Sequence, residues 1–600
     1  MYKAASPEFV QCNKNNMRQY LHIDLDTRTI RQEQQSGETL ARAGRYLVAK
    51  TLVDAGVATV DPLSADNPLI FSAGVFAGTN FSNANRISVG CKSPLTGGIK
   101  ESNAGGTFAF ALGQLEISGL TLHGAADDWV VIRIPKEGEI TFEDATPYLG
   151  KGNMEAARML HEKYGEKISI ALCGPVGEYQ GLIAGIAFSD TDNRPSRLAA
   201  RGGVGAVMGA KKVKAIVVDK HKMPQFHDRK KLMVAVKDYG QKLGEDPKAQ
   251  ALHDLGTAMA ADIMNHIGAL PVNNFSQGSA AKETGDTFPM GGDYIREQNV
   301  ARGGLHSHAC MPGCQIKCSN VYVDKDGNEI ASPVEYETIG VMGTNCGLTD
   351  PDDLARLNHE ANDLGVDSIE AGALIAVLME AGDANFGDTG FMKHVMDEMR
   401  TGTPKGRELA QGVARVGEAR GLKRVPVIKK QALSAYDPRV TEVTAVSMMT
   451  TAQGADHTVG NYPTFPSADL PVVDLVEESF ELQVLCATND SLGMCLFGRS
   501  VSNANQQMMI TAINDALGTD LDVGFYKRLG YETIQLEWRF NKDAGFGEED
   551  NALPAFFNDE PLPPTNKTSR LKAEDVTPVM EELLKHSTYV PPANTKKAAS

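Results

Sequence analysis

The stretch HACMPGCQIKCSN, residues 308–320, sets Cys310, Cys314 and Cys318 at four-residue intervals around Pro312 and Gly313. No helix can carry it. Proline lacks a donor and glycine frees the backbone, so the three thiols share one tight loop. A ligand common to them then dictates how the surrounding chain must fold. Iron–sulfur clusters take four thiolates, commonly three local and one remote. Zinc competes, with His306 and His308 adjacent, although zinc sites usually pair two knuckles or add histidine. Structural or free thiols are the third reading. Cys495 in NDSLGMCLFGRS, which follows a Gly turn, is the best candidate for a fourth ligand. Cys12, Cys91, Cys173, Cys346 and Cys486 stand apart and read as small buried hydrophobes.

The 600 residues allow three or four domains, or fewer large ones. A net charge of −17 argues against nucleic-acid or anionic-membrane partners, which need a cationic surface. It leaves room for a local basic phosphate pocket. The apolar stretch AGALIAVLMEAG (371–382) falls short of the roughly 20 residues a membrane span needs. The start MYKAASPEFVQCNKNN has no apolar signal region, so a cytoplasmic location is expected. Nine cysteines at irregular spacing do not resemble a disulfide framework.

The expected fold is α+β: a β-rich domain over residues 1–222, then two mainly α-helical domains over 223–430 and 431–600. NPLIFSAGVFAG, NRISVGCKSPLTGG, WVVIRI and KAIVVDK read as strands. HDRKKLMVAVKDYGQKLG and PDDLARLNHEANDLG have helical spacing. The tail from about 585, ending PPANTKKAAS, is expected to be disordered. One short motif recurs. NDLGVD (362–367) and DSLGMC (490–495) share a polar residue, a Leu-Gly pair and a final Asp or Cys. Their polar side chains and free N–H groups could hold a polar heterocycle. Spacing alone favours two ordinary helix-ending turns, but the second copy ends in the cysteine wanted as fourth ligand.

Together these pieces resemble the aldehyde:ferredoxin oxidoreductase family of tungsten enzymes. The resemblance covers nearly the whole chain, through VDPLSADNPLIFSAGVFAGT (60–79), NRISVGCKSPLTGG (85–98), SNAGGTFAFAL (102–112), RLAARGGVGAVMGAKKVKAI (197–216), VEYETIGVMGTNCGL (334–348) and both turns. It implies tungsten, or molybdenum, bound as a bis-pyranopterin beside a [4Fe–4S] cluster, with the β-rich domain as a saddle under the cofactor. Two copies of one pterin explain two copies of one turn. Asn362, Gly365 and Asp367 would hold one pterin, and Asp490, Gly493 and Met494 the other. Cys495 would complete Cys310, Cys314 and Cys318 on the cluster. Arg86 and Arg197 match phosphate-binding arginines, a role suited to a charged planar fork. Asn103 and the Leu198 carbonyl match positions that reach a Mg²⁺ between the pterin phosphates, and Gly105 lies where backbone approaches the cofactor.

The family metal has no protein ligand, so the resemblance implies a nearby carboxylate and histidine as the catalytic groups. Those are Glu337 or Glu335, and His457. In a strand the two glutamates would share a face; spacing to the first turn favours Glu337. A cleft glutamate can activate water or take a proton, and a histidine can donate one. Three departures stand out: three residues, where the family's archaeal type has two, separate the first two cysteines; Asn362 replaces aspartate; and LARLNHEAND lacks the E-x-x-H pair that bridges a dimer iron in archaeal relatives. The implied reaction is oxidation of an aldehyde to a carboxylic acid, reversal being conceivable. Electrons would leave through the cluster to ferredoxin, or to partner subunits with clusters and a flavin in an oligomer or hetero-complex. No G-x-G-x-x-G follows a strand, so no NAD site is expected. The alternatives are the catalytic subunit of a tungsten-dependent aryl-CoA reductase and a cluster-only electron-transfer subunit. The presence of Arg86, Asn103, Arg197 and both turns speaks against the latter.

Overall fold

A computed structural model describes residues 16–281 and 287–593; Cys12 and residues 594–600 of the tail lie outside them. Two mixed six-stranded sheets form the N-terminal part. The first runs in the order Thr29–Gln35, Arg18–Asp24, Ile117–His123, Leu69–Ala73, Ile87–Lys92, Ile99–Ala104. The second runs Arg197–Ala199, Ile186–Phe188, Ile168–Cys173, Val213–Asp219, Val130–Ile134, Thr141–Asp144. Each contains one parallel pair, Arg18–Asp24 with Ile117–His123 and Val213–Asp219 with Val130–Ile134.

The central strands are continuous buried runs (LIFSA, ISVGCK, ISIALC), because both faces of each sheet are covered. Phe71 and Val89 of the first sheet share a core with Ile132, Phe188 and Ile216 of the second. Val48 and Leu52 of the helix Gly44–Ala55 pack with Ile70 and Ile99 on the other face of the first sheet. The helix Asn153–Tyr164 packs similarly on the second.

The rest of the chain is mainly helical, as expected. Pro351–Leu364 and Arg229–Glu245 form where the spacing puts them. All but the last two residues of the apolar 371–382 stretch lie in Ser368–Glu380, buried all round from Ile369 to Met379; such a helix belongs to a core. No helix among the described residues is long and apolar enough to cross a membrane. A two-stranded ribbon, Val427–Ile428 with Gln431–Ala432, straddles the proposed domain boundary at 430.

One local expectation fails. VEYET is not a strand: Glu335 is in a loop and Glu337 caps the π-helix Thr338–Gly343. Packing decides this. The segment lies against Ser368–Glu380 so closely that a Cβ on Gly372 would come within 2.7 Å of the Met342 backbone, and such contacts override strand propensity.

Candidate active site

Both repeated turns end long helices. Gly365 (φ 73°) follows Pro351–Leu364, and Gly493 (φ 71°) lies just past Val472–Ser491. Each turn docks on one of the two sheets in the same way. At Gly74, just after Leu69–Ala73, a Cβ would lie 2.1 Å from the Leu492 carbonyl oxygen; at Gly174, just after Ile168–Cys173, it would lie 2.3 Å from that of Leu364. Arg86 N donates to Gly493 O at 3.1 Å, and Gly185 N to Gly365 O at 2.8 Å. The sequence repeat is therefore also a repeat of docking geometry. Gly74 and Gly174 escape sequence reading; their faint signal is the recurrence of a buried strand ending in glycine. Alanine at either position must displace backbone. Gly74→Ala and Gly174→Ala are each expected to cost about 1–3 kcal/mol, read as a lower urea midpoint together with lower metal content. Gly244→Ala, with open space around it, should be neutral or mildly stabilising.

The two turns engage opposite acidic ends. Asp367 caps the next helix through Ile369 N at 2.9 Å and lies 3.3 Å from Arg201 Nε. Asp490 lies 3.2 Å from Arg45 Nη1 and accepts from Asn103 Nδ2 at 3.4 Å. Burial pushes Asp490 up to about 6 against the pull of Arg45 and Arg86. Burial and the nearby Asp490 push Glu101 up to about 8. Asn362 borders a large cavity that Arg86 and Arg197 also line, and its carbonyl accepts from Asn153 Nδ2 at 2.8 Å. The Met494 side chain is sealed in an apolar core, which leaves only its backbone for a ligand. Arg45, Arg201 and Glu101 were not anticipated.

Cys310, Cys318 and Cys495 line this cavity, whose volume is about 1090 Å³; Cys314 is buried beside them. All four are free thiols. Burial raises Cys310 to about 12 and also raises Cys314 and Cys318, and in all three Cys495 adds to the effect. Among the described residues no three of these sulfurs lie within 4.8 Å of one another. A single zinc about 2.3 Å from each sulfur would need that closeness, whereas a four-iron cluster spreads its ligands wider. His308 turns away from the thiols, its Nε2 2.8 Å from Asp192. Asp190, Asp192 and His308 do converge, but Arg194 Nη1 already bonds the two aspartates at 3.2 and 2.7 Å. This knot braces the strand that leads into Cys310.

Arg86 grips Asn103 through Nε and, at 3.0 Å, through Nη2 to the backbone carbonyl, with Nη1 3.9 Å from Cys495 Sγ. A Cβ on Gly105 would sit 2.9 Å from Cys310 Sγ. Arg197 Nη2 donates to Ser319 Oγ at 2.7 Å, and Nη1 lies 3.7 Å from Glu335. Arg197 Nε and Ser196 Oγ are buried without partners, and both residues border the cavity beside Leu198. Unmet buried donors are costly unless something accepts from them, so this wall fits an anionic, phosphate-bearing cofactor.

Across the cavity, His457 Nε2 stands 3.0 Å from Glu337 Oε1. The contact is close but poorly aligned, leaving Oε1 without a hydrogen bond. Glu337 Oε2 accepts from Ala435 N at 2.9 Å. Burial raises the Glu337 pKa, with His457 and Arg201 opposing. His457 Nδ1 is 2.8 Å from Ser434 Oγ, which accepts from Arg201 Nη1 at 3.1 Å. The Ser434 hydroxyl can then donate to Nδ1, in the tautomer that carries the ring proton on Nε2, facing Glu337. The geometry thus separates the two glutamates: Glu337 meets the histidine, Glu335 meets Arg197.

The family described as aldehyde ferredoxin oxidoreductase, N-terminal domain, matches residues 20–220, and that described as aldehyde ferredoxin oxidoreductase, domains 2 and 3, matches residues 234–587. The tungsten-containing aldehyde ferredoxin oxidoreductase of Pyrococcus furiosus is 31% identical over 593 residues, 94% of this chain and 95% of that protein. A WOR-like subunit of an aliphatic sulfonate oxidoreductase from the same organism is 24% identical over 78% of each chain. The solved active-site complex of benzoyl coenzyme A reductase with 1,5-dienoyl-CoA has the same fold, with a TM-score of 0.80 over 97% of this chain and 96% of that one, at 19% identity.

Proposed function

The chain belongs to the aldehyde ferredoxin oxidoreductase family, and on that premise we propose that it oxidises aldehydes to carboxylic acids. The cofactors would be a tungsten (or molybdenum) bis-pyranopterin and a [4Fe–4S] cluster, with ferredoxin or partner redox subunits as acceptor. The carrying observation is the Glu337–His457 pair facing the cavity that the cluster thiols also line.

Cys310, Cys314, Cys318 and Cys495 would ligate the cluster. Arg86 and Arg197 would hold the pterin phosphates, with Mg²⁺ at Asn103 and the Leu198 carbonyl. Gly105 would allow close approach, and the two turns would seat one pterin each. When bound, the metal–pterin centre supplies the two-electron redox chemistry. The remaining work is proton handling. Oxidation of RCHO with water to RCOO⁻ releases two electrons and three protons. Glu337, fixed by Ala435 N, can take a proton from the attacking water through Oε1, and His457 can donate its Nε2 proton to the substrate oxygen and regain it later.

The test is metal analysis of anaerobically purified protein, followed by an aldehyde panel with viologen dyes. About one tungsten and about four irons per chain, the content of one cluster, with dye reduction by aldehydes, is the expected result. Iron without tungsten or molybdenum would leave an electron carrier. Tungsten with benzoyl-CoA reduction but no aldehyde oxidation would favour the aryl-CoA reading.

A further inference from the structure

A second cavity, of about 440 Å³, lies among the C-terminal helices and shares no lining residue with the first. Lys429 forms its floor and is only 8% exposed. Its Nζ donates to Met449 O at 2.6 Å and to Asn551 Oδ1 at 2.5 Å. An ammonium has three donors, so one is left for the cavity. Asp550 is the acid felt there but forms no ion pair with it, and burial lowers the lysine to about 7.

The backbone holds this lysine at a cost. Lys429 and Lys430 have φ of 50° and 62° in the turn of the ribbon Val427–Ile428 with Gln431–Ala432. Glycine or asparagine is the ordinary choice for such positions. Strain of this kind persists where a side chain is needed. A second donor is at hand: Trp538 lines the cavity, and its Nε1 is buried without a partner. Arg539, Lys542 and Lys585 line the cavity with one acid, Glu581, on a chain of net charge −17, although Arg539 and Lys585 also lie 3.9 and 2.6 Å from Asp543 and Glu582, which do not line it. Phe546 and Leu584 add apolar wall.

We propose that this cavity binds an organic carboxylate with an apolar body, its head on Lys429 and Trp538 Nε1 and its body against Phe546 and Leu584. A carboxylate supplies the counter-charge and the acceptor that this floor lacks. The same segment runs on to the first cavity: Ser434 Oγ meets His457, and Ala435 N donates to Glu337. The assignment does not depend on the reaction proposed above, since binding is read on the protein itself.

The chain has two tryptophans, so in a Trp129→Phe background fluorescence reports Trp538 alone. That protein is titrated with benzoate, hexanoate, acetate and inorganic phosphate. Saturable quenching by benzoate and hexanoate is expected, with acetate and phosphate at least about tenfold weaker, since burying a benzoate ring or a hexanoate chain is worth at least one factor of ten. Lys429→Gln should weaken benzoate at least about tenfold, the worth of a hydrogen bond to a charged group. Leu584→Glu, which leaves the lysine and its partners in place, should do the same and covers the case in which Lys429→Gln does not fold. Phosphate binding as tightly as benzoate, no saturable signal, or unchanged benzoate affinity in Leu584→Glu overturns the assignment.

Discussion

Glu337→Gln should lower kcat for aldehyde oxidation by about 10²–10⁴-fold, the range that a positioned acid–base group contributes, while leaving metal content unchanged. The isosteric amide keeps an oxygen to accept from Ala435 N, so the local fold survives and only the proton acceptor is lost. The pH profile separates this role from a structural one. Burial raises the Glu337 carboxyl above its ordinary value. A base must be ionised, so wild-type activity should rise with pH through that raised pKa, later than a free glutamate near 4.3 would allow. In Glu337→Gln this acid limb should vanish. Glu335→Gln, aimed at a residue that meets Arg197 and not the histidine, should keep both the limb and most of the rate. A limb that persists in Glu337→Gln would transfer the role elsewhere.

These contrasts follow from what a sequence can carry. The thiol loop, the repeated turns and the run around Arg86 are legible because their information is local: unusual residue types at short, fixed spacing. Cys495 could be paired with a loop far upstream because it follows a glycine turn, and that turn repeats an earlier one. Spacing to the first turn already favours Glu337 over Glu335, but only tertiary structure gives the two different partners, His457 and Arg197. The alternation in VEYET is sound as strand propensity, but Glu335 lies in a loop and Glu337 in the turn that enters the π-helix packed on Ser368–Glu380, so residues two apart point in different directions. Gly74 and Gly174 look like any turn glycine until the Leu492 and Leu364 carbonyls lie against them. Arg45, Arg201, Glu101 and Glu537 were invisible for the same reason. Nothing near Arg45 in the sequence announces a partner at Glu537, 492 positions away.

That distant pair should give the largest stability effect. Arg45 is 1% exposed and spreads its guanidinium over two carboxylates. Nε and Nη2 fork to Glu537 at 2.7 and 2.8 Å, and Nη1 reaches Asp490 at 3.2 Å. The arginine sits in the first turn of Gly44–Ala55, whose Gly44 and Tyr46 N–H groups bond Ser72 and Ser491. It therefore clamps the second turn between the first sheet and the helix Phe525–Asp543. Arg45→Met keeps much of the apolar stem but strands two buried carboxylates, and breaking such a set costs about 3–5 kcal/mol. The sign of its pH dependence is fixed. Burial raises Asp490 against the pull of Arg45; with Arg45 gone that opposition is lost, so the folded variant binds more protons than the unfolded chain and loses stability as pH rises. The deficit in urea midpoint should therefore be largest at alkaline pH and shrink towards pH 5. Arg45→Met/Glu537→Met should recover part of the loss by removing one stranded charge, since apolar replacement of a buried pair is often neutral. A deficit independent of pH, or a double variant worse than the single, would mean that the helix depends on packing alone and that the arginine does not hold the turn.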